Sequence, residues 1–423
     1  MRPYFRALIA SLLACACAGR GSDPAPPSPG SSTTSGPTSG PAGGGGAQPP
    51  AGGGAASGVT VERLDAAVEC DALVPAAAPA PVVAHRDAPA GGTCTGGISD
   101  GTGAVALAAI DAAGARTWRA YGPGGAPGAE VAADPLASEP SGWHGLRLFG
   151  DPQSPRAELV EVQPGGTVAG AVDVSFDPAR FTGFGYALAQ DPAGGSLVLS
   201  RAVALAGNHW HVVAGRRFDA EGQARWPGAV PLDAGSDASA PLYMAAGVSR
   251  GGETLFVRQE SAFAVADWLD ASGALLASSG TAERSADVVG PALRPQVELR
   301  PLLDGGLAIR GDAAWRRIYP HLAARTAPLP DWLSARGAWT FRITRGNAGY
   351  AVFPPPGAAS ADCTQAFDLV APSGRLCGRV TLREDGTACT TGALDQGWDG
   401  TVVQQSGHDP CTFRWWPGLL GGG

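Results

Sequence analysis

The chain has 423 residues, enough for one large domain or two small ones, and a formal net charge of −8. All 30 of its basic residues are arginine, which excludes chemistry that depends on a lysine, such as Schiff-base catalysis or a Walker A loop. The acidic balance and the lack of a clustered basic stripe argue against nucleic acid as a partner.

The N-terminal residues have the features of an export signal. Arg2 and Arg6 are followed by a short apolar run that ends at Ala14, directly before Cys15. This run is too short to span a bilayer, which takes about 20 residues. The order of a basic region, an apolar region and a small residue before cysteine resembles a bacterial lipoprotein signal.

That resemblance implies that residues 1–14 are removed as a signal peptide and that Cys15 carries lipid. Lipidation at Cys17, or cleavage of an ordinary secretory signal near Ala18, are the alternatives. Ala16 follows Cys15, so the aspartate that retains enterobacterial lipoproteins at the inner membrane is missing. The resemblance therefore implies a lipid-anchored protein of the cell envelope, at the outer membrane.

Residues 15–58 are predicted to form a disordered tether. From Pro24 to Gly58 the chain is almost wholly glycine, proline, serine, threonine and alanine. Such a composition cannot bury enough apolar surface to offset the entropy of ordering. As a flexible coil, a tether of this length has a root-mean-square span of about 35 Å.

From Val59 onward, short runs alternate between apolar and polar residues, which predicts an almost all-β domain over residues 59–423. Turns ending in glycine recur between these runs, and their steps are close to 50 residues or a multiple of it. They end at Gly114, Gly166, Gly222, Gly273 and Gly374, and one degenerate copy is expected near Ala324. A second series precedes apolar runs at Gly97, Gly145, Gly195, Gly252, Gly306, Gly349 and Gly400.

A period of about 50 residues is the length of one four-stranded propeller blade with its loops. The repeat texture resembles that of bacterial β-propeller lipoproteins, and it implies a single propeller of seven blades, with six as the alternative count. Thr401–Gln404 and Cys411–Trp415 supply two strands of a last blade, which Val59–Leu64 is expected to complete. Tandem β-sandwiches are the alternative fold.

Six cysteines follow the signal region, and an even number in an exported chain predicts disulfide bonds. None forms a Cys-x-x-Cys pair or a zinc-binding pattern with histidine. We expect Cys70 to pair with Cys94, which would close a short loop, and a hairpin pairing of Cys377 with Cys389 is a weaker expectation. The full set is Cys70, Cys94, Cys363, Cys377, Cys389 and Cys411.

Two motifs could carry chemistry. Residues 247–251 match Gly-x-Ser-x-Gly, the nucleophile turn of α/β-hydrolases, but a strand rather than a helix follows. Ser249 is therefore predicted to be non-catalytic. His209 and His211 would face one side of a strand and are weak candidates for a metal site, with Asp219 and Asp233 nearby in sequence.

Arginine and aromatic residues also occur together, in sets that can bind sugars, carboxylates or proteins. These sets are Trp315-Arg316-Arg317, Arg342, Arg345 and Arg414-Trp415-Trp416. Arginine stems that cover aromatic edges on a blade surface are the alternative interpretation.

The sequence favours a non-catalytic propeller lipoprotein that binds a protein or glycan partner at the cell envelope. No cofactor is predicted, and the only expected membrane contact is the lipid anchor. The alternative is a propeller-fold hydrolase or lyase with its site at one mouth of the central channel. A ring of histidine, arginine and aspartate around that mouth would favour the enzyme.

Overall fold

A computed structural model describes residues 58–151, 155–205, 210–236, 243–280, 283–292, 295–357, 359–360, 362–384 and 389–421. The predicted signal, Cys15 and the predicted tether up to residue 57 lie outside these ranges. Across the described residues, no helix combines the length and the apolar character needed to cross a membrane.

The alternating runs form antiparallel sheets, each of which buries two faces against its neighbours in a ring. Blade 1 comprises Thr93–Ser99, Val105–Ile110, Arg116–Tyr121 and Pro127–Val131. Blade 2 comprises Leu136–Glu139, Gly142–Phe149, Arg156–Val162 and Val168–Asp173. Blade 3 comprises Phe181–Gln190, Ser196–Ala204, Trp210–Phe218 and Val230–Ser236. Blade 4 comprises Met244–Val248, Thr254–Glu260, Phe263–Leu269 and Leu275–Ser278, with Glu283–Arg284 beside its third strand.

The remaining three blades depart from the regular pattern. Blade 5 has three strands, Val297–Pro301, Leu307–Gly311 and Ala314–Tyr319. Blade 6 has five strands, Thr340–Ile343, Tyr350–Phe353, Thr364–Val370, Leu376–Arg383 and the N-terminal Val59–Arg63. Blade 7 has Leu394–Gln396, Val402–Gln405, Thr412–Trp416 and Val82–His85. The fold is a seven-bladed β-propeller, as the sequence predicted.

Little else is regular in the described part of the chain. The helical segments are single turns, at Val68–Cys70, Ser285–Val289, Asp331–Ser334 and Arg345–Asn347. A small two-stranded sheet pairs Ala359–Ser360 with Cys389–Thr390.

The ring closes with a different strand from the one predicted. Val82–His85 pairs with Thr412–Trp416 and forms the outer strand of blade 7. Val59–Arg63 instead pairs with Leu376–Arg383 and extends blade 6. Both N-terminal segments alternate apolar and polar residues, so the pattern alone does not decide which of them completes the last blade. Each covers the edge of the strand it joins and becomes the outermost strand of that blade itself.

The turn series lie mostly on one face of the ring. Because neighbouring strands are antiparallel, the first-to-second turn of each blade opens onto one face, here called the turn face, and so does the third-to-fourth turn where the chain runs on from the third strand to the fourth. Gly166, Gly222, Gly273 and Gly374 end third-to-fourth turns and have φ between 72° and 89°. Gly114 does not belong to this set, because it lies between the second and third strands of blade 1. The glycine that ends the third-to-fourth turn of blade 1 is Gly125.

Two glycines of the second series lie at positions other than those predicted, and the turn predicted near Ala324 is present. Gly97 and Gly145 lie inside the strands Thr93–Ser99 and Gly142–Phe149 rather than before them. The degenerate copy expected near Ala324 is a turn over 320–323, in which Leu322 has φ 56°.

The core consists of layers between blades, as period-two alternation requires. Val105, Leu107 and Ala109 pack with Phe413 and Trp415 of blade 7. Ala104, Ala106 and Ala108 alternate with these residues and face the other way. They pack against Trp143, Val160 and Val162 of blade 2. Alanine on one blade and tryptophan on the next fill this layer together.

All six predicted cysteines form disulfides, but the predicted pairings are wrong. The bonds join Cys70 to Cys377, Cys94 to Cys411 and Cys363 to Cys389. Cys70 follows the strand that extends blade 6, so its neighbour in space is Cys377 on the adjacent strand. Ring closure likewise brings Cys94 of blade 1 to Cys411 of blade 7. Sequence proximity was misleading because a propeller brings its two ends together.

Candidate functional site

Charged side chains on the innermost strands of blades 5, 6 and 7 pair with one another. Arg342 donates two hydrogen bonds of 2.8 Å to the carboxylate of Asp395, in a forked arrangement. Arg300 donates to Glu298 on its own strand and, at 2.6 Å, to the carbonyl oxygen of Phe341 on the next blade. These contacts join adjacent blades around the central channel.

Electrostatics explains why these carboxyls stay ionised. Burial acts to raise the pKa of Glu298, but the positive charges of Arg300, Arg310 and Arg342 outweigh it and lower the pKa. Burial also opposes ionisation of Asp395, and Arg342 and Arg300 again hold its pKa below the ordinary value. Each of these carboxylates is matched by arginine, so this set is an ion-pair network that links blades.

A cleft of about 270 Å³ opens on the turn face between blades 5 and 6. Trp332 and Tyr350 are stacked beside it, with ring centroids 4.6 Å apart and an angle of 22° between the ring planes. The lining is apolar and aromatic apart from one carboxylate, and consists of Leu302, Leu303, Asp304, Ile318, Pro330, Trp332, Tyr350 and Pro372.

The cleft exists because blade 5 lacks a regular fourth strand. Pro328 and Pro330 have no backbone N–H to donate to a sheet. On its outer side, the third strand of blade 5 is paired only through a single bridge between Ile318 and Ala327. The chain then forms the short helix Asp331–Ser334, which presents Trp332 where an outer strand would otherwise lie.

Polar groups occupy fixed places around the cleft. The hydroxyl oxygen of Tyr350 accepts a hydrogen bond of 2.7 Å from the backbone N–H of Leu303. Burial raises the pKa of Tyr350 to about 12, so the phenol keeps its proton at neutral pH. The carboxylate of Asp304 is exposed at the rim. The cleft therefore combines an apolar, aromatic wall with one anionic acceptor at its rim, a composition typical of small-ligand sites.

Ser249 lies in the first turn of blade 4 and has the environment of a turn residue. Its side chain is 1% exposed, and its oxygen accepts the backbone N–H groups of Gly251 and Glu253 at 3.1 and 3.2 Å. Asp111 and Asp270 make the same pair of contacts in other turns. Ser249 here replaces the aspartate of the repeat.

A histidine does lie near Ser249, but in the wrong order for a catalytic triad. The hydroxyl of Ser249 donates to the carboxylate of Glu253, and that carboxylate contacts Nε2 of His321 at 3.2 Å. A triad needs the histidine next to the serine, where it can accept the hydroxyl proton. Ser249 contacts a carboxylate instead, and its lack of catalytic function stays a prediction.

Of the predicted histidine pair, His209 lies outside the described residues. His211 is 1% exposed, and its Nε2 is 2.9 Å from the carboxylate of Asp233. Asp233 also contacts Arg258 at 3.4 Å. In the described part of the chain, the residues close enough to hold a metal are instead Cys363, Cys389 and His408, whose ligand atoms all lie within 4.8 Å of one another.

The predicted sets of arginine and aromatic residues do not form one surface, and most of their members pack or pair within separate blades. Trp315 lies under Arg300 and Arg310, whose guanidinium carbons are 5.9 and 5.7 Å from its ring centroid. Trp415 and Trp416 are fully buried in blade 7. The remaining members lie apart, with Arg316 and Arg317 near backbone oxygens, Arg345 in a single helical turn and Arg414 beside Glu384.

Sequence reasoning missed the aromatic pair of the cleft. Trp332 and Tyr350 belong to different blades, and only the loss of a strand in blade 5 brings them together. The signal in the sequence is the run Pro328-Leu329-Pro330-Asp331-Trp332, which interrupts the expected position of a strand.

Comparisons with known proteins concern the fold alone. No protein-family model and no curated protein matches the sequence. A prolyl oligopeptidase B from Galerina marginata, bound to a 35mer hydrolysis and macrocyclization substrate, has 10% identity and a TM-score of 0.43 over 75% of this chain. The chain spans about half of that peptidase, 47% of its length.

Two other solved structures match over more of their own length. The Dos1 propeller has 7% identity and a TM-score of 0.35, over 76% of each chain. The BP39L lectin from Burkholderia pseudomallei has 15% identity and a TM-score of 0.33, over 81% of this chain and 97% of the lectin.

Proposed function

We propose that this protein is a non-catalytic binding domain that takes a protein or glycan ligand in the cleft between blades 5 and 6. The cleft itself carries the proposal. Its volume of about 270 Å³ suits one sugar ring or one large side chain rather than a whole folded surface. A larger partner would insert one such group and cover the rim.

The lining suits a ligand with an apolar face and polar edges. Aromatic rings and prolines give an apolar surface without a large loss of side-chain entropy on binding. The exposed Asp304 would accept hydrogen bonds from hydroxyl or ammonium groups at the rim. Because Phe341 packs edge-on against both Trp332 and Tyr350, at 5.6 and 5.7 Å, the aromatic wall is rigid before the ligand arrives.

The lipid anchor at Cys15 belongs to the same proposal. The described chain begins at Gly58, whose carbonyl oxygen accepts the N–H of Arg383 at the end of the outer strands of blade 6. That end is opposite the turn Ala371–Gly374, which borders the cleft. The tether would thus leave from the face opposite the cleft, and a propeller anchored at the envelope could present its cleft away from the membrane.

The rival function, a hydrolase or lyase at the channel mouth, lacks a comparable observation. The channel charges of blades 5 to 7 pair with each other, and the hydroxyl of Ser249 is tied to a carboxylate. We therefore favour binding over catalysis.

A matched pair of variants tests the cleft. Pro372 and Pro164 occupy the second position of equivalent turns in blades 6 and 2, and only Pro372 borders the cleft. Purified protein is screened on an array of bacterial envelope glycans, and a photo-crosslinking residue is placed at position 372 or 164 in cells. We expect a bound glycan, or a discrete protein adduct from position 372 alone.

Pro372→Arg should then weaken binding at least tenfold, and Pro164→Arg should leave it unchanged. The proposal fails if no glycan binds and no adduct forms. It also fails if the two substitutions have equal effects on the ligand that is found.

A further inference from the structure

The disulfide Cys363–Cys389 differs in its surroundings from the other two. It links residues 26 apart, whereas the bonds that close the ring link residues 307 and 317 apart. Nε2 of His408 lies 3.0 Å from the sulfur of Cys363, and the ring of His408 is exposed. This disulfide therefore closes a short loop, and the exposed ring of His408 lies between its buried sulfur atoms and solvent.

A small polar cavity of about 10 Å³ adjoins the two sulfurs. That is about the size needed for one water molecule or one ion. Glu384 and Gln404 line it and are 2% and 3% exposed. Oε1 of each side chain has no hydrogen-bond partner within the described ranges, and the cation nearest to the Glu384 oxygen, Arg414, is 3.7 Å away.

A buried oxygen without a hydrogen bond lowers the stability of the fold. Two such oxygens beside two sulfurs and a histidine therefore indicate a site for a bound ion or water molecule. A tetrahedral zinc ion binds sulfur at about 2.3 Å and nitrogen or oxygen at about 2.0–2.2 Å, which places ligand atoms roughly 3.5–4 Å apart. The sulfurs and Nε2 already lie within 4.8 Å of one another. These three ligand atoms therefore lie close to zinc-ligand spacing, and the buried carboxylate of Glu384 lines the cavity beside the two sulfurs.

We infer that Cys363, Cys389 and His408 form a redox-controlled site for zinc, with Glu384 as the fourth ligand. In the oxidised protein both sulfurs are held in the disulfide and cannot bind metal as thiolates. A dithiol reductant transfers two electrons and two protons to the bond, and it becomes a disulfide itself. The two thiols then bind one Zn²⁺ through their sulfurs and release two protons to solvent.

The first experiment uses the full chain. The protein is treated with a dithiol until peptide mapping shows free thiols at 363 and 389 while the two ring-closing bonds remain, and the reductant is then removed without oxygen. Equilibrium dialysis with zinc should give one tightly bound ion per chain, against none in the oxidised protein. Cobalt in place of zinc should give thiolate-to-metal charge-transfer absorption, which reports sulfur ligation directly.

Two substitutions separate ligation from general damage. His408→Ala should weaken zinc binding by at least about tenfold, because even outer residues of zinc sites have effects of that size. Thr412→Ala changes a residue that is close in sequence but is not a member of the cluster, and it should leave zinc affinity unchanged. Equal zinc binding by the oxidised and reduced chains would overturn the inference, and so would cobalt binding without sulfur absorption.

A second variant covers the case in which the bond cannot be reduced without unfolding the ring. Cys389→Ala leaves Cys363 as a free thiol beside His408 and Glu384, without any reductant. It should bind one zinc ion more weakly than the reduced chain, and Cys389→Ala combined with His408→Ala should lose that binding. If the two variants bind zinc equally, His408 is not a ligand and the inference is wrong.

Discussion

The two ring-closing disulfides should be coupled, because each shortens the unfolded loop that the other closes. In the chain-entropy treatment, a bond between residues 307 apart restricts the unfolded chain by about 6 kcal/mol when it acts alone. With Cys94–Cys411 intact, the path from Cys70 to Cys377 is much shorter. It runs 24 residues to Cys94, across the bond, and 34 residues back from Cys411, about 58 in all.

A loop of about 58 residues corresponds to about 4 kcal/mol in the same treatment. Removing either bond alone, as Cys70→Ala with Cys377→Ala or as Cys94→Ala with Cys411→Ala, should therefore lower the free energy of unfolding by about 4.2 kcal/mol. Removing both should lower it by about 10 kcal/mol, against about 8.5 for the sum of the separate losses. The excess, about 1.5 kcal/mol, measures the shared loop.

The assay is guanidinium unfolding of the four proteins under non-reducing conditions, followed by tryptophan fluorescence. Cys363→Ala with Cys389→Ala serves as the control. Its loop contains Cys377, but the detour from Cys377 back to Cys363 and across that bond to Cys389 takes 14 residues, against 12 directly. The bond therefore hardly shortens the path, and its loss should add to either of the others within about 0.2 kcal/mol. A combined loss equal to the sum of the separate losses would refute the assigned connectivity or the entropic origin of the stabilisation.

Three further outcomes are expected. Cys15→Ala should release the protein from membranes or leave an unprocessed precursor, and a mature N-terminus other than Cys15 in the unaltered protein would contradict the anchor. Ser249 should not react with a fluorophosphonate probe, and Ser249→Ala should lower stability by about 1–2 kcal/mol, because two backbone N–H groups lose their acceptor. Burial lowers the pKa of His144 to about 4, so the contribution of its neutral form to the free energy of unfolding is complete above about pH 6.5 and is lost as the pH drops from 6.5 to 4. In His144→Asn the loss over that window should be smaller by about 3 kcal/mol, as seen in unfolding curves at each pH.

Local chemistry made the propeller predictable from sequence. Alternating runs and turns ending in glycine depend on residues close together in the chain, so the strands, the blade length and the seven-fold repeat could be inferred. Gly114 shows the limit of this reasoning. Two successive turns of blade 1, ending at Gly114 and Gly125, both suit a tight hairpin, and sequence alone does not tell which of them opens onto the turn face.

Features that depend on closure of the ring could not be inferred. The partners of Cys70 and Cys94 lie more than 300 residues away, and cysteine spacing carries no information about connectivity. The choice between Val59–Arg63 and Val82–His85 for the last blade depends on packing rather than on alternation. The cleft was missed for a related reason, since Trp332 and Tyr350 meet only across a blade boundary.

Closure by Val82–His85 also sets the order in which the domain can be completed. The chain is synthesised from its N-terminus, so this strand is made long before Thr412–Trp416, its only strand partner in the described sheets. Until Thr412–Trp416 emerges, six sheets can form, but blade 1 has no complete neighbour on one side and its apolar layer faces water. A nascent chain would therefore be an open arc, exposed to proteases and to pairing with other chains. Deletion of even the final strand should be more damaging than its five residues suggest.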